Sequence, residues 1–173
     1  MNEEISLDAY SLRILAELQR DSRQTVQQLA EAVGLSPSPC WKRVKDMEAA
    51  GVIRGYTARV DPEKVGLALR VVVEANLEKH SEDLVRRFEE AVAASPNIVQ
   101  CHSTTGQADY VLTVLASDIK RYEQFLHDTI FRLPGVTHVR SSIVLREVKS
   151  ETALPVQGSA VSAAPAPRAR RKA

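Results

Sequence analysis

The chain has 173 residues, 44% of them hydrophobic and 26% charged, enough for one ordinary domain or two small ones with a buried core. A large multi-domain enzyme is excluded. The formal net charge of +1 hides a division along the chain: residues 1–35 are net −3, 36–59 net +3, 61–150 net −2 and 151–173 net +3, so positive charge is local, which points to a small anionic partner surface and not to a generally basic protein.

The first predicted element runs from Leu7 to Arg20, where Leu7, Tyr10, Ile14, Leu15 and Leu18 recur at helical spacing. Thr25 and Gln28 then form a capping-box pattern opening a second helix, with Val26, Leu29, Ala30 and Val33 inward and Gly34 as its stop. Leu35-Ser36-Pro37-Ser38-Pro39 restarts a helix at once, with either Ser36 or Ser38 as cap. It runs to about Ala50, with Cys40, Val44 and Met47 at core spacing, and Gly51 ends it. Two helices so close together make a helix-turn-helix. Residues 52–60, alternating around Gly55, read as a short hairpin or wing.

From residue 68 the period changes to two, with Leu69, Val71, Val73, Ala75 and Leu77 on one face of a strand. A helix over 82–94 follows, with Leu84, Val85, Phe88, Ala91 and Val92 as its stripe. Then come a strand at 97–105, a Gly106-Gln107-Ala108 turn, a strand at 109–116, a helix at 118–132 with Ile119, Tyr122, Leu126 and Ile130 inward, and a strand at 136–148. The order β-α-β-β-α-β suits a ferredoxin-like sandwich, giving an α+β chain overall. Residues 96–103 and 134–141 align as a faint repeat at an offset of 38, one β-α-β unit each. The domains expected are a winged helix-turn-helix over 1–52, a wing, hinge strand and linker over 53–67, the sandwich over 68–150 and a disordered Ala/Pro-rich basic tail over 151–173.

Chemistry concentrates in two places. On the second helix of the helix-turn-helix, Ser36, Ser38, Trp41, Lys42 and Lys45 can point away from the Cys40/Val44/Met47 face, and Arg43 can reach a flank. In a major groove, backbone donors and serine hydroxyls at the helix start would hold phosphates while longer side chains met base edges. Trp41 can lie on the sugar-phosphate backbone or anchor the helix, and Arg54 in the wing can touch a flanking phosphate, as an ordinary exposed arginine would also be placed to do. The second place is Thr104-Thr105-Gly106-Gln107-Ala108-Asp109-Tyr110. There Asp109 can receive the ammonium of a small ligand, or can simply bond backbone in a plain hairpin.

Other chemistry is not spelled out. His80, His102, His127 and His138 have no metal-ligand spacing, Cys40 and Cys101 stand in no CxxC or Cys/His cluster, and GxSxG, P-loop and GxGxxG motifs are missing. Both cysteines are expected reduced and buried. No apolar run nears the roughly 18 residues of a membrane helix, and the acidic start is unlike a secretory signal, so a cytoplasmic protein with no membrane partner, no metal and no catalytic step is expected.

Over residues 6–150 the sequence resembles the Lrp/AsnC, or feast/famine, family of regulators. Leu7-Asp8, Ile14-Leu15, Leu18-Gln19-Arg20-Asp21-Ser22-Arg23 and Leu29-Ala30 match its first two helices. Gly34 to Cys40, Arg43-Val44 and Met47 to Ile53 match its recognition helix, Gly55-Tyr56-Thr57-Ala58 its hinge strand, and Gly106 to Tyr110 with Leu133-Pro134-Gly135-Val136 its effector domain. The run Pro39-Cys40-Trp41-Lys42-Arg43 resembles the branch containing a cysteine-responsive regulator of cysteine detoxification. Ser11 stands where many members carry aspartate, Gln107-Ala108 where an acidic-aromatic pair is common, and the stretch after residue 150 has no family counterpart.

The resemblance implies a transcriptional regulator of amino-acid metabolism or transport genes that binds double-stranded DNA and assembles as a homodimer and often an octamer. An amino acid, with no other cofactor, binds between effector domains; the matching positions are Ser103, Gly106, Asp109, Tyr110, Ile119 and Ser142, with Thr104 beside them. The alternative is an amino-acid-sensing module that works through a protein partner.

Overall fold

The structure is a computed structural model that describes residues 7–78 and 81–156. The chain divides into two compact units, one of Met1–Ala58 with Ser150–Ala173 and one of Arg59–Lys149.

The first unit is built on three helices, α1 (Ala9–Arg20), α2 (Val26–Val33) and α3 (Pro37–Ala49). Helix α1 starts two residues later than its apolar pattern because Asp8 caps it, accepting from the Ser11 amide at 2.8 Å. The capping box at α2 is complete: the Gln28 amide donates to Thr25 Oγ1 at 3.2 Å, and the Thr25 amide to Gln28 Oε1 at 2.9 Å. Gly34 closes α2 at φ +74°, where its own amide and that of Leu35 take up the last carbonyls. Ser36 is the cap of α3, with Pro37 as first helical residue. Ile14, Leu29, Ala30, Val33, Cys40, Val44 and Met47 form the buried core, edged by Leu7, Leu15, Leu18, Leu35 and Ile53. Tyr10, expected inward, instead stands at the surface with the Arg13 guanidinium 4.9 Å from its ring centre.

The hairpin expected over 52–60 is not formed. Val52 and Ile53 are drawn into the end of α3, both amides donating to the Met47 carbonyl, and residues 54–60 carry no strand. The alternation there was one short segment, and a strand needs a partner in register.

The second unit is a four-stranded antiparallel sheet in the order β2-β3-β1-β4, made of β1 (Leu69–Leu77), β2 (Ile98–Ser103), β3 (Tyr110–Ala116) and β4 (Val136–Ile143). Helices α4 (Glu82–Ala93) and α5 (Ile119–Asp128) cover one face, which is the ferredoxin-like arrangement expected. Val71, Val73, Ala75 and Leu77 of β1 and Tyr110, Leu112, Val114 and Ala116 of β3 meet Phe88, Val92, Tyr122, Ile130 and Leu133 in its core.

Several boundaries differ from expectation. Helix α5 stops at Asp128 and a 3₁₀ turn, Ile130–Arg132, buries Ile130, while Ile119, expected inward, is 64% exposed. Strand β4 ends at Ile143: the Val144 amide still reaches the Arg70 carbonyl, but the chain then leaves the sheet with Glu147 paired to the Arg70 guanidinium. Strand β2 is shorter than the expected 97–105, and its register against β3 shifts between Ile98 and Gln100. Cys101, expected buried, is only half-buried at the edge of the core, whereas Cys40 is fully enclosed as expected; both are free thiols. Burial raises the pKa of each. His80 and residues 157–173, the bulk of the expected disordered tail, lie outside the described residues.

Candidate nucleic-acid and effector surfaces

Burial of Cys40, Val44 and Met47 turns the other side of α3 outward, where Ser36, Ser38, Trp41, Lys42 and Lys45 are exposed. The helix start differs from an ordinary anion site. Of its first three residues, Pro37 and Pro39 carry no amide proton, so Ser38 supplies the single N–H there beside the two serine hydroxyls. Any anion at this end would meet mainly side chains.

The two lysines are held by carboxylates on their own helix. Lys42 Nζ lies 2.8 Å from Asp46 Oδ2, and Lys45 Nζ lies 2.7 Å from Glu48 Oε2 while sitting 4.4 Å from the centre of the Trp41 ring. Glu48 also accepts from the Tyr56 hydroxyl at 2.9 Å. The Lys45 ammonium, then the Tyr56 hydroxyl, hold the Glu48 carboxyl below its ordinary pKa. Burial first and the Glu48 carboxylate second push the Tyr56 phenol up to about 12. Tyr56, matched in sequence to a hinge strand, thus closes the end of α3. Arg54 stands exposed just beyond that helix.

Arg43 faces elsewhere. Its Nη1 lies 2.8 Å from Asp8 Oδ2 and donates to Ser11 Oγ at 3.3 Å, and its guanidinium carbon is 5.8 Å from the centre of the Tyr10 ring. Asp8 thereby caps α1 and anchors α3 together; the Ser11 amide first, with Arg43 adding, lowers its carboxyl pKa. This joint was missed in the sequence because Asp8 and Arg43 are 35 residues apart and carry no shared pattern.

In the second unit the turn between β2 and β3 is stitched shut. The Thr104 amide donates to the Asp109 carbonyl at 2.9 Å, and the Thr104 hydroxyl to the Ala108 carbonyl. Gly106 has open space around it. Asp109 Oδ2 accepts from the Leu77 amide at 2.8 Å, and Asn76 Nδ2 donates to the Gln107 carbonyl at 2.8 Å, so the turn is tied to the end of β1. Tyr110 faces the helices: its ring lies 4.5 Å from that of Phe88 and its hydroxyl donates to Glu89 at 3.2 Å. Burial, then Glu89, raises its phenol pKa.

Ser103 pairs with Tyr110 in register and shares its face, whereas Ser142 pairs with Val72 on the open face. Ile119 lies past the other end of β3. Within one chain, then, Ser103, Thr104, Gly106, Asp109 and Tyr110 gather at one end of the sheet, and Ser142 and Ile119 do not join them. A hollow of about 270 Å³ does open at that end, lined by Glu74, Asn76, Gln107, Ala108, His138 and Arg140 with Val139. Arg140 lies opposite Glu74 in register and 3.3 Å from its carboxylate. The sequence signal for these residues was available, since Glu74 and Asn76 occupy the polar phase of the β1 alternation.

Among the described residues no group of three or more His, Cys, Asp or Glu is placed to hold a metal, and no helix is long and apolar enough to cross a membrane.

Two family models match the chain, a winged helix-turn-helix DNA-binding domain over residues 7–54 and an Lrp/AsnC ligand binding domain over residues 70–154. The leucine-responsive regulatory protein of Haemophilus influenzae is 41% identical over 144 residues, 83% of this chain and 87% of that one. The chain belongs to the Lrp/AsnC family. Among other members, the DNA-binding transcriptional activator DecR of Escherichia coli is 37% identical over 87% of this chain and 99% of its own length. A solved Neisseria meningitidis transcriptional regulator, in complex with L-Met, superposes with a TM-score of 0.83 at 36% identity, covering 88% of this chain and 98% of that one. As an Lrp/AsnC member the chain is a DNA-binding transcriptional regulator with a ligand-binding domain, and the family and fold read from the sequence are borne out.

Proposed function

We propose that this Lrp/AsnC chain is a cytoplasmic regulator of amino-acid metabolism or transport genes, that it reads duplex DNA with the outward side of α3, and that an amino acid sets its occupancy. The observation that carries the reading is the division of α3. Cys40, Val44 and Met47 are buried, while Ser36, Ser38, Trp41, Lys42 and Lys45 form a continuous polar and cationic side with Arg54 just beyond. Lysine contacts would supply salt-dependent affinity, and Ser38 and Trp41 would stand at the base edges or sugars.

The effector belongs between two copies. The sheet face on the side away from α4 and α5 carries Val72, Val111, Thr113 and Leu115, each half-buried, which suits a homodimer and, by further pairing, an octamer. A second copy laid there would close the hollow beside Gly106 and Asp109 and bring Ser142 or Ile119 of one chain toward the turn of the other. The L-Met bound to the Neisseria meningitidis relative supports an amino acid as the occupant. Its effect on DNA equals the difference in its affinity for two assemblies, no more.

The test is fluorescence anisotropy on DNA upstream of the protein's own gene and on an unrelated duplex, with leucine, methionine, cysteine or a pool of all twenty amino acids. Selective binding that shifts with one of them is expected. Equal, weak binding to both duplexes, unchanged by the pool, would overturn the reading and leave a protein partner to be sought.

A further inference from the structure

The two lysines on the outward side of α3 are held in different ways. Lys42, with its side chain 77% exposed, lies beside the Asp46 carboxylate, itself 51% exposed. Lys45 is 51% exposed and its carboxylate, Glu48, only 27%. The Lys45 ammonium stands between two groups, Glu48 Oε2 at 2.7 Å and the Trp41 ring, whose centre is 4.4 Å away. The other Glu48 oxygen, Oε1, accepts from the Tyr56 hydroxyl at 2.9 Å. With both oxygens engaged the carboxylate is held against rotation, so a residue outside the helix helps to fix where Lys45 stands.

Tyr56 lies past the end of α3, in a stretch without helix or strand. It lines a hollow of about 300 Å³ together with Trp41, Lys45 and Glu48, beside Leu29 and Val44, and that packing sets the direction of its hydroxyl. Its phenol, pushed up to about 12 by burial and then by Glu48, stays protonated at neutral pH, so Tyr56 donates and Glu48 accepts. Phosphate contact alone does not call for such a hold, because a lysine is a compact charge on a flexible stem that can follow a phosphate. A fixed donor matters where the acceptor stands in one place, as the acceptors on base edges of the major groove do.

We propose that Tyr56 is a positioning residue for DNA reading: through Glu48 it fixes Lys45 against Trp41, so that Lys45 donates to a base edge and contributes selectivity as well as charge. Lys42, more exposed, contributes charge alone. The inference deepens the reading of α3 as the DNA-binding side and rests on it, and its test separates the two.

The experiment uses the full-length protein, Tyr56→Phe, Lys45→Ala and the double variant Y56F/K45A, with two readouts. Trp41 is the only tryptophan in the sequence, so its emission in the free protein reports whether the Lys45 ammonium stays over the ring. Tyr56→Phe, which keeps the ring and removes only the hydroxyl, should move that emission toward the value in Lys45→Ala. Selectivity is the ratio of affinities for DNA upstream of the protein's own gene and for an unrelated duplex, read by anisotropy. Lys45→Ala should lower it by about fivefold or more, the lower limit for a base contact. Tyr56→Phe should lower it by a smaller factor while binding the unrelated duplex as wild type does, and the double variant should match Lys45→Ala alone, because the hydroxyl acts only through Lys45. Wild-type emission in Tyr56→Phe would overturn the positioning. With a selective wild type, unchanged selectivity in Tyr56→Phe or Lys45→Ala would overturn the base contact, and a double variant showing the product of the two single losses would overturn the route through Lys45. An unselective wild type would instead overturn the reading of α3, and this inference with it.

Discussion

Lys42 and its partner Asp46 allow a paired perturbation with opposite signs. Their charged atoms are 2.8 Å apart, with the side chains 77% and 51% exposed, so the pair lies in water-like surroundings and is worth about 0 to 1 kcal/mol. A phosphate must compete with Asp46 for the Lys42 ammonium. Replacing Asp46 by the isosteric asparagine removes that competitor and a negative charge from the outward side of α3, while its backbone carbonyl still accepts from the Ala50 amide. Affinity should rise by up to about fivefold, the equivalent of the pair's upper limit. Lys42→Ala should act in reverse: with one cation fewer on the phosphates the salt slope falls by about 0.9, or about a 3.5-fold smaller decline in affinity between 50 and 200 mM salt. Both variants are read by anisotropy titration on specific and unrelated duplexes. An unchanged slope in Lys42→Ala would show that Lys42 meets no phosphate, and weaker binding by Asp46→Asn would show that the pair itself shapes the reading face.

Three further outcomes follow from the geometry. Phe88→Ala, at a fully buried side chain whose ring packs at a tilt against that of Tyr110, should cost the sheet unit about 3 to 5 kcal/mol in urea unfolding; a decrease below about 1 kcal/mol would mean that the α4 packing is wrongly placed. Asp109→Ala should leave DNA binding without effector unchanged and abolish the amino-acid response. The comparison with Asp109→Asn then decides why, since asparagine can still accept from the Leu77 amide but carries no charge for an ammonium: retention of the response would assign Asp109 to holding the turn, and its disappearance to holding the ligand. In acid, the stability contributed by Asp8 is complete above its unfolded pKa, near the ordinary 3.8, and is lost as pH falls through its lower folded value. Thermal melts of wild type should therefore drop below about pH 4, and those of Asp8→Asn, which keeps a capping oxygen, should drop less; parallel curves would remove Asp8 from the linkage.

Local patterns in the sequence reported local structure well. Thr25 with Gln28 and the Gly34 stop lie within single turns of chain, where capping chemistry decides conformation, and the β1 alternation survives because one whole face is buried. The same logic failed where a partner was needed. Val52 and Ile53 look like strand residues, but they are drawn onto the end of α3. Ile119 fits the stripe of α5, yet as the first residue of the helix it stands exposed, and helical periodicity does not say where along a stripe the packing begins. At the candidate sites, the outward side of α3 was legible from its buried side, whereas Arg43 was not: its length suits either a groove or the Asp8 cap, and pairings 35 positions apart leave no periodic trace. The turn at Gly106 to Asp109 was legible as a turn, and its ties to Leu77 and Asn76 were not.

The prolines at the start of α3 bear on how binding begins. Each locks its own φ near −65°, so the tip that carries Ser36 and Ser38 has few conformations to give up on the proposed entry into a groove. Ordering a loose helix end on binding consumes part of the interaction energy and adds a negative heat-capacity change. A tip already set before contact avoids both. Association of this helix should then depend weakly on temperature and be governed by diffusional encounter, with the lysines setting how often encounter occurs and the rigid tip how often it succeeds.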